Sequence, residues 1–230
     1  MRLAIVGHGP SIHSMDLGEE IDAHDQVMRM KASKALLGHP HIFGSRVDMV
    51  VGSFVAAIGV LADWKDLCKN YFLFIDTRTE GVDDAGIIHM RDRIFGTERA
   101  CVIDKTLCTR WIGIYRALRN PIRLDEAQET KGHLSDERGH KHFSIGLFSI
   151  LHAMEFLSPA EITLYGFDNV ASGEFTWSVT RGPDYKQYPD HNWMAEHVLL
   201  GDMCAAYDYG IESMPNGGRL KLTKAVSNDA

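Results

Sequence analysis

Four places in the chain set chemistry-bearing residue types where they can act on a ligand. The first is Gly7-His8-Gly9-Pro10-Ser11, directly after the apolar run Leu3-Ala4-Ile5-Val6. A short run of branched apolar residues stopped by glycines reads as a buried strand feeding a tight turn. Gly7 and Gly9 let the backbone come close to a ligand, and Ser11 is a candidate cap for a helix through Leu17 and Ile21. In an open α/β sheet this junction is where phosphates bind on free N–H groups, although an ordinary strand-to-helix turn has the same form. The second place is Ser144, which opens a helix through Leu147, Leu151, Met154 and Leu157. The third is the strand Ile162-Thr163-Leu164-Tyr165-Gly166-Phe167-Asp168, where Gly166 permits close approach and Asp168 is a candidate for a ribose or acceptor hydroxyl. The fourth is His191, in the first turn of a final helix reaching Tyr207, with Glu196 five residues on. Histidine titrates near neutral pH, which suits a base that takes a proton from an acceptor hydroxyl.

Alternating strands and helices position these residues. Val27-Met28-Arg29-Met30 reads as a second strand ending at Lys31, a cation that can reach a phosphate or simply be solvated. Val47 to Gly52 and Tyr71 to Asp76 read as further strands, with a helix from Phe54 to Leu67 between them, and Asp76 and Thr77 point to the same edge as Gly7. This alternation predicts a mainly parallel sheet covered on both faces. Between Thr79 and Lys105 the periodicity is weak, so loops and one short strand near residues 86–90 are expected. Leu107, Trp111, Ile114, Tyr115 and Leu118 recur at helical spacing. Residues 125–142 form the most polar stretch, either a mobile lid beside Ser144 or a plain surface loop. Residues 169–190 carry Trp177, Tyr185 and Tyr188 among glycines and prolines, an irregular loop whose aromatics either stack on a base or sugar or pack the loop down.

Composition bounds the class. At 230 residues and 45% hydrophobic content the chain suits a single packed domain over 1–230. No run of about 18 apolar residues occurs and no signal-peptide pattern opens the chain, so no membrane partner is expected. Cys68, Cys101, Cys108 and Cys204 lack metal-ligand spacing and read as reduced thiols of a cytoplasmic protein. A net charge of −7 argues against a polyanionic acceptor, and the arginine-rich stretch from Arg91 to Arg123 reads as a solvated helical face before a local basic groove.

Taken together these segments resemble the sialyltransferase family. Val6-Gly7-His8, then Ile21-Asp22-Ala23-His24-Asp25-Gln26-Val27-Met28-Arg29-Met30-Lys31, then Phe43-Gly44-Ser45-Arg46 stand in the order of the first long signature of the animal-type family 29 enzymes. The Gly7-His8-Gly9-Pro10-Ser11 turn also looks like the Gly-Asn-Gly-Pro-Ser of the bacterial family 42 enzymes. Phe143-Ser144-Ile145-Gly146 followed by Ile162 to Phe167 resembles the short signature, and His191 with Glu196 resembles the His-x-x-x-x-Glu element. The resemblance implies a single Rossmann-like, GT-A-variant α/β domain. It implies donor contacts from Gly7, His8, Gly9, Pro10, Ser11, Lys31, Gly166, Phe167 and Asp168, with Ser144 and Gly146 cradling the carboxylate of sialic acid. It further implies His191 as general base, Glu196 as an orienting residue, and Tyr185 or Tyr188 on the leaving phosphate.

The expected function is a metal-independent, inverting glycosyltransferase using a nucleotide sugar, CMP-sialic acid first, on a glycan or small-molecule hydroxyl. No Asp-x-Asp motif appears, so no metal site and no cofactor beyond the nucleotide-sugar co-substrate are expected. His8 and Lys31 stand where the family has asparagines, and Ile145 stands within Ser-Thr-Gly. These departures keep open a different donor, such as a UDP-sugar, and a modified nucleic-acid base as acceptor. A non-catalytic nucleotide-binding module is the remaining alternative. Acceptor, linkage and oligomeric state are not specified by the sequence.

Overall fold

A computed structural model of the chain describes residues 1–30, 37–53, 68, 71–75, 100–103, 144–172, 193–214 and 219–225. Lys31, the helices expected over 54–67 and 107–118, Asp76 and Thr77, the strand near 86–90, the 125–142 stretch, Tyr185, Tyr188 and His191 lie outside the described residues. Among the described residues eight strands form one mixed sheet: β1 (Arg2–Val6), β2 (Gln26–Met30), β3 (Met49–Ser53), β4 (Tyr71–Ile75), β5 (Ala100–Ile103), β6 (Glu161–Tyr165), β7 (Tyr209–Ser213) and β8 (Leu220–Lys224). Their spatial order is β5-β4-β3-β2-β1-β6-β8-β7. β1 to β6 run parallel, and β8 and β7 close one side antiparallel. The class is α/β.

Strand periodicity divides the core into two layers. Leu3 and Ile5 of β1, Met28 and Met30 of β2 and Ile162 and Leu164 of β6 face one side. There they meet Leu147, Phe148 and Leu151 of α3 (Ile145–His152) and Leu199, Leu200 and Met203 of α5 (Trp193–Ala206). Ala4, Val6, Val27 and Tyr165 face the other side, against Ile12 of a 3-10 segment (Pro10–Ser14), Ile21 of α1 (Gly18–Asp22) and Phe43 of α2 (Pro40–Phe43). Burial on both faces accounts for the nearly uninterrupted apolar character of β1, Leu3 to Val6 being fully buried.

Several boundaries differ from the sequence expectation. Ser11 does not cap one long helix: its hydroxyl turns to Asp168, and the chain makes the short 3-10 segment before α1 starts at Gly18. Gly18 sits where a side chain would strike the Pro40 carbonyl, so α1 and α2 touch backbone to backbone. Asp168 is not a strand residue; β6 stops at Tyr165, Gly166 takes φ +67°, and Asp168 begins the short α4 (Asp168–Ser172). That φ favours glycine because a Cβ crowds the backbone there. The helix from Ser144 runs as expected to Leu157, with its last turn, Ala153–Leu157, π-helical. β5 and the β7–β8 hairpin were not expected, although Leu220-Lys221-Leu222-Thr223-Lys224 alternates and Pro215-Asn216-Gly217-Gly218 is turn chemistry.

Candidate active site

β1 and β6 are neighbours whose onward connections leave in opposite directions, β1 toward β2 and β6 toward β8 and β7. Such a switch in direction is the place, beyond the carboxyl ends of the two strands, where open α/β sheets bind ligands. Gly7 to Ser11 leave β1 at this point and Gly166 to Asp168 leave β6. The two turns are bound together. Gly7 N–H donates to the Tyr165 carbonyl and Gly9 N–H to the Gly166 carbonyl, each at 2.7 Å. Ser11 donates its hydroxyl to Asp168 Oδ2 at 2.9 Å and its N–H to the same oxygen at 3.4 Å. A methyl group at Gly7 would strike the Gly166 carbonyl, and one at Gly9 would strike the Asp168 carboxylate. The glycines therefore serve the close approach of one turn to the other, and their N–H groups are used within the protein. Pro10 opens the 3-10 segment at its first helical position, where its missing N–H costs nothing. His8 and Ser11 are half-buried beside it.

The start of α3 comes to the same place. A methyl group on Gly146 would meet the Phe167 ring and Ser144 Oγ, with Met30 Sδ, at the end of β2, also within reach. Ser144 caps α3 by accepting the Leu147 N–H at 3.2 Å. Its own N–H and hydroxyl donate to the two oxygens of Glu196, at 2.7 Å and 2.6 Å. Glu196 is buried in the first turn of α5, so one carboxylate fastens the beginnings of two helices. Burial pushes the Glu196 carboxyl up to about 7, against the pull of the two Ser144 hydrogen bonds. Gly7, His8, Gly9, Pro10, Ser11, Ser144, Gly146, Gly166, Phe167, Asp168 and Glu196 thus belong to one region. His13, which sequence reasoning passed over, adds an imidazole near Asp168; burial holds it below its ordinary range while Asp168 pulls it up.

The long polar segment behind the glycine turn has a different task. Asp22 accepts from Ser45 N–H and Oγ at 2.8 Å and 2.9 Å and from Arg46 N–H at 3.0 Å. Arg46 also donates to the His24 and Asp25 carbonyls and pairs with Asp48 at 3.0 Å. Arg29, 1% exposed, donates to the Arg46 and Phe43 carbonyls at 2.8 Å each, and burial brings its guanidinium down to about 10. His24 Nδ1 donates to the Glu20 carbonyl at 3.0 Å and Nε2 pairs with the Thr163 hydroxyl at 3.1 Å. Tyr165 donates to Glu20, which also holds Arg219. These side chains tie α1, α2, β2, β6 and β8 to one another. Among the described residues no group of His, Cys, Asp or Glu is arranged to hold a metal ion, and no helix is long and apolar enough to cross a membrane.

No protein-family model matches the chain, and no curated protein matches it.

Proposed function

We propose that the protein is a nucleotide-sugar glycosyltransferase, inverting and metal-independent, built on a Rossmann-like scaffold of the sialyltransferase type. The observation that supports this reading is the meeting of the Gly7–Ser11 turn, the Gly166–Asp168 turn, the Ser144–Gly146 helix start and the first turn of α5 beyond the carboxyl ends of β1 and β6. The resemblance drew Gly7 to Ser11, Ser144, Gly146, Gly166 to Asp168 and Glu196 from those same four segments, and Lys31, Tyr185, Tyr188 and His191 from residues outside the described ones. In the proposed reaction the acceptor hydroxyl gives its proton to the His191 imidazole, and its oxygen forms a bond to the anomeric carbon. The bond from that carbon to the phosphate oxygen breaks, and its electron pair leaves with the nucleotide. Tyr185 or Tyr188 donates a hydrogen bond to the departing phosphate, and Lys31 lends it a positive charge. CMP is the nucleotide the resemblance favours, and UDP is the alternative favoured by His8 and Lys31.

A panel of nucleotide sugars incubated with glycan, small-molecule and nucleic-acid acceptors, read by product mass, tests this. Transfer from at least one donor is expected, and His191→Ala should abolish it while nucleotide binding persists. Nucleotide binding without transfer from any donor would favour the non-catalytic module, and unchanged turnover in His191→Ala would remove the base assignment.

A further inference from the structure

Among the described residues the sheet ends on β7, and its outer side has the form of a template for another strand. In the hairpin, Met214 N–H donates to the Arg219 carbonyl and Ala225 N–H to the Asp208 carbonyl. With the register that sets Tyr209 against Lys224 and Ser213 against Leu220, these bonds assign the even-numbered residues of the strand to β8. Successive residues of an antiparallel strand turn their N–H and C=O groups to opposite sides. Tyr209, Ile211 and Ser213 therefore direct theirs outward, where no other described strand lies. Edges that stay single are blunted by lysine, proline or a bulge. Tyr209-Gly210-Ile211-Glu212-Ser213 has no lysine or proline, and its register runs without a bulge. Its one charge, Glu212, stands opposite Lys221 of β8, whose ammonium it helps to keep charged. Ile211 shares a face with the buried Tyr209 and stands opposite the fully buried Leu222, yet is 45% exposed. The core layer thus reaches the outermost strand and stops there on an uncovered apolar side chain.

We infer that β7 pairs antiparallel with β7 of a second copy of the chain, about a two-fold axis at Ile211, so that one sheet runs through a dimer. A two-fold axis across a strand edge generates antiparallel pairing, with the same patch used on both sides. Ile211 then stands opposite the partner's Ile211, and Tyr209 opposite the partner's Ser213. These are the residues whose backbone groups face outward, so each such pair exchanges both of its N–H···O=C bonds. Glu212 stands opposite the partner's Gly210, which keeps like charges from facing each other directly. Any extended peptide would satisfy the backbone. The match of apolar to apolar at the axis and of charge to glycine beside it is what selects a second copy.

Sedimentation equilibrium of the full chain over a concentration series tests this. The wild-type protein should approach twice its chain mass of 25.8 kDa as concentration rises. Ile211→Lys brings two cations together at the axis, and Ile211→Pro removes an N–H that β8 does not use. Each should weaken the dimer by about tenfold or more while leaving the far-ultraviolet circular dichroism unchanged. Ile211→Cys supplies a positive signal, because residues facing each other at the axis lie about 5.5 Å apart at Cα, within the span of a disulfide. Mild oxidation should join two Ile211→Cys chains beyond any product of the wild-type protein, whereas Glu212→Cys, which faces glycine, should not be joined. A wild-type protein that stays monomeric at every concentration would overturn the inference. So would a dimer that survives both Ile211→Lys and Ile211→Pro, or one that Ile211→Cys fails to lock. The wild-type mass and the Ile211→Cys product decide the matter even where the lysine or proline variant folds poorly.

Discussion

Glu196 makes the stability of the protein depend on pH. Its carboxyl is pushed from 4.5 to about 7 because burial penalises the charged form more than the two Ser144 hydrogen bonds favour it. The folded protein therefore holds a proton that the unfolded chain releases between those values, and the stability linked to it is complete below about pH 4.5. It is lost as pH rises through about 7, with a full swing on the order of 3 kcal/mol. Urea midpoints measured from pH 5 to pH 8 should fall in the wild-type protein relative to Glu196→Gln, in which this group no longer titrates. Parallel pH profiles for the two proteins would show that Glu196 is ionised throughout. Ser144 and Glu196 were each visible in the sequence, Ser144 as a helix opener and Glu196 through its spacing from His191. Their mutual bond spans 52 positions and was not visible, since no local pattern joins residues that far apart.

At the scale of elements, the polar side chains between Asp22 and Asp48 hold a junction that hydrophobic packing alone would leave loose. α1 and α2 have only five and four residues, too short to be stable by themselves. Asp22 supplies the missing order by accepting three hydrogen bonds from Ser45 and Arg46. Gly44, at φ +71°, lies where a side chain would strike that same carboxylate. Asp22→Ala should cost about 1–2 kcal/mol, because water can take up the exposed Ser45 donors while the part-buried Arg46 N–H loses its acceptor, read as a lowered denaturation midpoint. A cost under about 0.5 kcal/mol would mean that water replaces the carboxylate without loss. The apolar runs made β1 to β4, β6, α3 and α5 legible, because burial on both faces of a parallel sheet writes itself into composition. The hairpin of β7 and β8 escaped because its burial is partial: β7 keeps only Tyr209 inside, so its sequence carries little apolar signal. β5 escaped because its apolar run, Ala-Cys-Val-Ile, is flanked by Glu98-Arg99 and Asp104-Lys105 and lacks the glycine stop that marks the end of β1.

Across the whole molecule, strand order decides where a ligand can sit. The chain fills one side of the sheet from β1 out to β5, returns to lay β6 against the other side of β1, and closes with an antiparallel pair. That route brings residues 7–11, 144–146, 166–168 and 196 together beyond the carboxyl ends of β1 and β6, although up to 189 positions separate them. Their convergence required the return of β6 to β1, which strand and helix alternation alone does not dictate; the order of the signature-like segments was the only sequence signal for it. The direct test is a crystal structure of the protein soaked with CMP and with UDP. The nucleotide is expected over the carboxyl ends of β1 and β6, against the Gly7–Ser11 and Gly166–Asp168 turns, with the His191 imidazole facing the side of the phosphate where the sugar would be. A nucleotide bound at another edge of the sheet, or His191 on the opposite side of the molecule from Gly7, would contradict it.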